Sequence, residues 1–492
     1  VPGTTDTCRI LQCVSAAGTS RWPGRQVRAG RCKAGPGHHT DRSGPAPVPQ
    51  RQYLRRKTCS VAAPPLAPLT TGGRRPPRWS RQPSSPWPPA GPALTRAWSA
   101  PTPARLVVTP ADATASADAA RATEELGLLA LGATAEPDAN TLVSPASLAF
   151  ALALLAEGAR GETAASLDAA LGAPGEDRTS AYNALQGALA KHDGDPGVVQ
   201  DDELPDRPVL HLANQAVLDD GLAVEQDYLD ALATAFDAGV QGTDLGTDEG
   251  KAVLDAWVDH HTGGLIEESA LEPDPALRLV LQNAVLLAAA WETPFEESAT
   301  RDEDFTGPDG TEPTEMLHGA QSWAYAESGG WAAVRLPYVD AFHADVLLPP
   351  AGTDPAEVSP ETLTALTSTL DDAPPRTVEL AMPTLELEPP ALDLAPALAE
   401  AGLGGLYDGP DLSGITTAEP LQVSQVWQQA YLSLDADGTV AAAVTEIGVE
   451  TSGAMPTAPA ARMVVDRPYL LRIAHTETAL PLFLAAVRSP QH

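Results

Sequence analysis

From residue 60 onward the chain contains no cysteine; Cys8, Cys13, Cys32 and Cys59 are its only four. Most of the protein must therefore fold without disulfides or thiol chemistry, and cysteine usage leaves its compartment undetermined. No run of eighteen apolar residues exists to form a membrane-spanning helix, and the first residues lack the continuous apolar stretch of a secretory signal. The motifs Gly-x-Ser-x-Gly, His-Glu-x-x-His and Gly-x-x-x-x-Gly-Lys are all missing. Nothing therefore points to a serine nucleophile, a zinc protease site or a phosphate cradle, and we expect no catalytic residue, no metal and no cofactor.

Positive charge is also scarce over most of the chain. Residues 1–105 hold 17 of the 31 basic residues but only Asp6 and Asp41 of the 65 acids, which leaves 14 basic against 63 acidic residues on the other 387. Such a body repels nucleic acid and anionic lipid, so neither is expected as a partner, and salt relieves its self-repulsion. Residues 1–105 are dense in Pro, Arg, Ser, Gly and Trp without an apolar period of 3.6 or 2, as in Gly73-Arg-Arg-Pro-Pro-Arg-Trp-Ser-Arg81. We expect a disordered low-complexity segment there, either a basic tail or an over-extended gene start, and one domain over 106–492.

Within the domain, residues 114–133 read as a helix. In Asn140-Thr-Leu-Val-Ser-Pro-Ala-Ser147, Ser144 can cap a helix whose first residue is Pro145, because proline loses no needed hydrogen bond at that position. Residues 148–156 are apolar all round, which marks a helix buried in the core. Residues 172–206 read as acidic and irregular, with Lys191 nearly alone. Residues 209–218 alternate as a strand, 225–236 return to helix, and 252–261 form a further helix ending in His260 and His261. Neighbours on a helix diverge by about 100°, so these histidines are expected to be solvated rather than to share a metal. Residues 279–290 form a long buried strand leading into Trp291-Glu-Thr-Pro-Phe295.

The C-terminal stretch from Leu432 to Pro468 differs from the rest. Asp435-Ala-Asp-Gly438 ends a short strand in a turn, and Gly438, Thr439, Val440, Ala441, Ala442, Ala443, Val444 and Thr445 then form a run of small, uncharged residues. As a strand, Thr439, Ala441, Ala443 and Thr445 would share one face, each small enough to be buried. This run, followed by Asp466-Arg-Pro-Tyr469 and Pro481-Leu-Phe-Leu484, resembles the hinge and last strands of the serpins, inhibitors of serine and cysteine proteases. The Ser144-Pro145 helix, Trp291-x-x-Pro294-Phe295, Leu336-Pro-Tyr338 and Asp411-Leu-Ser-Gly-Ile415 follow in family order, so the resemblance spans residues 114–490.

The resemblance implies an α+β fold of about nine helices around three β-sheets, with an exposed reactive-centre loop. It implies suicide inhibition: the cleaved loop inserts as an extra strand while the protease is still acyl-linked, and deacylation stalls. Ser144, Ser147, Asn283, Gln428 and Trp291 match the region of the sheet that must part. Gln428 stands where many members have a histidine bonded to the central asparagine, and it retains the donor and acceptor to reach Asn283. Keeping the usual distance from Gly438 puts the scissile bond at Ser452-Gly453; counting back from Pro468 points nearer Thr457. Small neutral Thr451 and Ser452 suggest an elastase-like or subtilisin-like target. A monomer is implied, and an extracellular setting. The acidic 172–206 stretch, where heparin-activated serpins carry a basic helix, argues against heparin. Ala436 and Val440 depart from the usual hinge, which leaves open a non-inhibitory member whose loop is a simple substrate.

Overall fold

The computed structural model of the chain describes residues 8–10, 105–135, 138–201, 203–439 and 461–490, all within one unit. The hinge from Val440 to Thr445 and the Ser452-Gly453 bond lie outside the described residues, as does most of the first hundred.

The short strand β1 (Cys8–Ile10) precedes helix α1 (Ser116–Thr134) and strand β2 (Thr141–Val143). Helix α2 (Pro145–Gly158) follows. Its Ser144 cap accepts from the Ser147 N–H, and nearly every side chain is buried, as an all-apolar helix requires. Helices α3 (Gly161–Ala170) and α4 (Gly175–Leu189) come next. The irregular reading of 172–206 is thus wrong over its first half. Ala181, Tyr182, Leu185 and Leu189 supply the buried stripe of α4, which Gly172 and Gly175 obscured in the sequence.

Strand β3 (Val209–Asp219), helix α5 (Gln226–Phe236), strand β4 (Gly239–Thr243), helix α6 (Asp248–His261) and strand β5 (Leu277–Ala290) build the central sheet and one helix across it. Strands β6 (Arg301–Gly307), β7 (Gly310–Ser328), β8 (Trp331–Pro337) and β9 (Phe342–Leu348) lead to helix α7 (Pro360–Asp372) and strand β10 (Arg376–Pro383). The short strands β11 (Leu385–Leu387) and β12 (Leu392–Asp393) flank the single-turn helix α8 (Ala395–Leu398) on its N-terminal side. Strands β13 (Leu421–Val423), β14 (Trp427–Gln428), β15 (Leu432–Leu434) and β16 (Gly438–Thr439) approach the loop. Strands β17 (Ala461–Val464), β18 (Tyr469–His475) and β19 (Pro481–Val487) follow it.

Eight α-helices are present among the described residues, against about nine expected. Two of the three expected sheets run together, because β7 has 19 residues, enough to pair with β6 and β10 over its first part and β8 over its last. The central sheet positions the site. Its strand β5 pairs with β3 along one edge; along the other it meets only β16 at its end and β1 at its start among the described residues. Between those two short pairings lies the interval a further strand would fill.

Candidate functional site

Where β5 ends, Trp291 and Phe295 grip the start of the loop. Trp291 donates its backbone N–H to the Asp437 carbonyl (2.9 Å) and its indole N–H to the Asp435 carbonyl (3.0 Å), and Phe295 N–H reaches the Ala436 carbonyl (2.8 Å). The Asp435 carboxylate accepts from the N–H groups of Asp437 and Gly438, which closes the turn that Asp435-Ala-Asp-Gly438 signals in the sequence. Burial, with Asp435 and Glu297 nearby, raises the Asp437 carboxyl above its ordinary range.

Gly438 and Thr439 have already entered the sheet. Thr439 pairs with Leu434 on β15 and with Ala289 on β5, and Gly438 pairs with Ala290. Glycine is needed at the first position because a Cβ there would lie 2.3 Å from the Ala289 carbonyl oxygen and 2.8 Å from the Ala290 Cα. Thr439 is 1% exposed, and its hydroxyl lies 2.5 Å from that of Tyr338, whose ring stacks on Trp291 with centroids 4.3 Å apart. Just beyond Thr439, Leu265 and Ile266, which follow α6, cover a cavity of about 20 Å³ between Leu286 on β5 and Leu432 on β15. It is room for about one water, in the interval left between the strands.

At mid-sheet the other expected residues come together, though in a different pattern. Gln428 accepts from the Ser144 N–H and donates to the Ser144 carbonyl, both at 2.9 Å. Ser147 Oγ donates to the Asn283 carbonyl at 3.4 Å. Gln428 does not meet Asn283 directly: its carboxamide is taken up by the backbone of Ser144, and Ser147 makes the link to Asn283, an altered form of the expected network. Asn283 instead donates to Asn214 Oδ1 (2.8 Å), its neighbour across the β3–β5 pairing. Among the described residues the buried Asn283 Oδ1 atom meets no hydrogen-bond partner.

One histidine expectation is corrected. His260 is exposed, but His261 is half-buried: its Nδ1 lies 2.8 Å from His211 Nε2, and His211 Nδ1 is 2.8 Å from Asp193. Burial lowers His261 to about 4, with His211 and His260 adding to the effect and Asp193 opposing it. The two nearly coplanar rings face nitrogen to nitrogen, so that one ring's N–H can donate to the other's nitrogen. Asn214, Tyr338 and His211 escaped the sequence reading as site residues, since each acquires its role from a strand neighbour or a facing helix. Only Tyr338 carried a signal, in Leu336-Pro-Tyr338.

The sequence profile of the family described as Serpin (serine protease inhibitor) matches residues 124–490. The chain is a serpin. An uncharacterised serpin-like protein of Thermococcus kodakarensis is 27% identical over 72% of this chain and 81% of its own length. Alpha-2-antiplasmin of Bos taurus is 30% identical over 74% of this chain and 70% of its own. Among solved structures, the thermophilic serpin tengpin in its native state superposes with a TM-score of 0.65 at 22% identity, covering 78% of this chain and 96% of tengpin. Human thyroxine-binding globulin matches with the same TM-score and identity over 77% of this chain and all of its own. The α+β serpin fold is therefore established, and with it the family's general character as protease inhibitors rather than enzymes.

Proposed function

We propose that this serpin is a suicide inhibitor of serine endopeptidases, acting by inserting its cleaved loop between β5 and β15. The observation that carries this reading is the pairing of Gly438 and Thr439 with β5, a start from which the rest of the loop can follow. Continued in the register that sets Thr439 opposite Ala289, Thr445 would lie opposite Asn283 and Thr451 opposite Leu277, the first residue of β5. Residues 438–451 would then use the whole 14-residue length of β5, leaving Ser452 just beyond it. This favours Ser452-Gly453 over a bond near Thr457, and full insertion would displace Cys8–Ile10 from its pairing with β5.

The fourteen residue steps from Gly438 to Ser452 span about 46 Å in an extended strand, so a protease linked to Ser452 would be carried to the far pole of the sheet. Its oxyanion hole and catalytic geometry are pulled out of register and deacylation stalls. The hinge must be small because in an inserted strand Ala441 and Ala443 would share the buried face of Thr439, where an unpaired charge costs several kcal/mol. Thr445, arriving opposite Asn283, would bring a hydroxyl to the side of the sheet that holds the unpartnered Oδ1. Thr451 and Ser452 suit an elastase-like or subtilisin-like protease, with cysteine proteases a further class to assay; heparin, nucleic acid and membrane have no part, and the monomer suffices. Of the first 105 residues, Cys8–Ile10 would have to give up its pairing with β5, and the proposal assigns the others no part in insertion.

The test is to incubate the full chain with an elastase-like and a subtilisin-like protease and run denaturing gels. A complex that survives boiling in detergent, with release of a peptide starting at Gly453, is the expected result. Cleavage in the loop without such a complex would make the protein a non-inhibitory member whose loop is a plain substrate.

A further inference from the structure

We infer that Tyr338 is a positioning residue for loop insertion: its hydroxyl holds Thr439 in the sheet before cleavage, so that insertion starts from a pair already made. The inference rests on the inhibitory reading above and assigns its first step to a residue outside the loop.

Tyr338 follows β8 in a tight turn, where its N–H donates to the Phe342 carbonyl and Asp340 and Ala341 both have positive φ, 58° and 37°. Two positive φ angles in succession are those of a tight two-residue hairpin turn between β8 and β9, and this turn is also bonded to its surroundings. Among these, Val339 N–H bonds the Ala290 carbonyl, Glu292 N–H bonds the Pro337 carbonyl, and the Tyr338 ring lies parallel to Trp291 at an interplanar angle of 9°. The phenol is thereby fixed at the end of β5 independently of the loop. Its hydroxyl is buried, and Thr439 is the partner it meets. Burial raises the phenol well above its ordinary range, so it stays protonated and able to donate.

Thr439 and Ala289 are opposite one another here and would remain so in the inserted strand, so the Tyr338–Thr439 bond need not break as the loop zips in. Fixing the first pair removes the search for register, and each later residue then adds to an existing strand end, as in the growth of any cooperative pairing. Without the hydroxyl, Thr439 keeps a buried Oγ1 without this partner and leaves the sheet more readily. Acylation takes place at the proposed Ser452-Gly453 bond, thirteen residues further along the sequence than Thr439, so it should not change.

The experiment compares the full chain with Tyr338→Phe, which keeps the ring on Trp291, and with Thr439→Val and the double variant. Two rates are read: loop cleavage by the protease, and the subsequent gain of heat resistance in the cleaved chain. Tyr338→Phe should leave cleavage unchanged and slow the heat-resistance gain about five- to tenfold, the scale of one buried hydrogen bond. Substrate turnover per complex formed should rise by the same factor. Thr439→Val should match it, the double variant should be no slower than either, and Thr439→Ser should retain the wild-type rate. A Tyr338→Phe rate equal to wild type, or additive effects in the double variant, overturns the inference while leaving inhibition intact. Failure of the cleaved wild type to gain heat resistance overturns the insertion reading itself and the inference with it.

Discussion

Gly438 and Thr439 show how narrowly single residues are constrained where a strand must fit between two others. The approach of 2.3 Å that a Cβ at Gly438 would make to Ala289 involves backbone, which cannot swing aside as a side chain can. Gly438→Ala is therefore expected to push the hinge out of the sheet. Limited proteolysis just before residue 439 should speed up, and the fraction of protease trapped should fall. Thr439→Arg tests the burial argument directly. Among the described residues a guanidinium placed beside Tyr338, Leu432 and Phe483 meets no carboxylate lining the cavity, so the loop should be cleaved with no detergent-stable complex and no gain in heat resistance. An Arg variant that still traps protease would show that this position need not stay buried in the sheet for insertion.

Helices and strands respond to conditions as units. α2 is buried on all sides, and Leu152 at its centre is 0% exposed; Leu152→Ala should cost about 2–5 kcal/mol in urea unfolding through the cavity it leaves. α6 is tied to the sheet by His261 against His211. Burial lowers both His261 and His475 to about 4, whereas an unfolded histidine titrates near 6.5. Between those values the unfolded chain binds protons that the folded chain refuses, so stability falls as pH drops from about 6.5 toward 4 and is unaffected by these groups above that window. His211, His260 and Asp193 face His261, while His192, His343, Lys191 and Glu477 act on His475. Replacing His261 with asparagine should flatten part of this dependence, measured as the urea midpoint against pH. A midpoint that rises on acidification from 6.5 would contradict the assignment.

For the whole molecule, charge and strain are the governing quantities. With 63 acids against 14 basic residues beyond residue 105, like-charge repulsion acts on the folded body, and salt at about 1 M compresses its range to roughly 3 Å. The unfolding temperature should therefore climb by several degrees between about 0.05 and 1 M sodium chloride; a flat response would mean that the acids are locally paired. Among the described residues β5 is incompletely paired on its loop-facing edge, which is where the proposed insertion would place a strand. Cleavage in the loop should accordingly raise the unfolding temperature sharply, whereas a chain whose loop cannot insert would hardly change.

Local chemistry was sufficient for much of this to be read from the chain. The Ser144-Pro145 cap, the all-apolar α2, the long strand into Trp291 and the turn at Asp435-Ala-Asp-Gly438 depend on residues close in sequence, so their signals survive without a fold. The acidic body and the small-residue hinge are likewise properties of composition. Tertiary structure alone decided that Gln428 binds Ser144 rather than Asn283, that Asn214 takes the Asn283 amide, and that His261 leaves solvent for His211. It also decided that Tyr338 meets Thr439, 101 residues away. Hydrogen-bonding capacity is written in each side chain, but which partner satisfies it depends on the strands and helices that packing brings together.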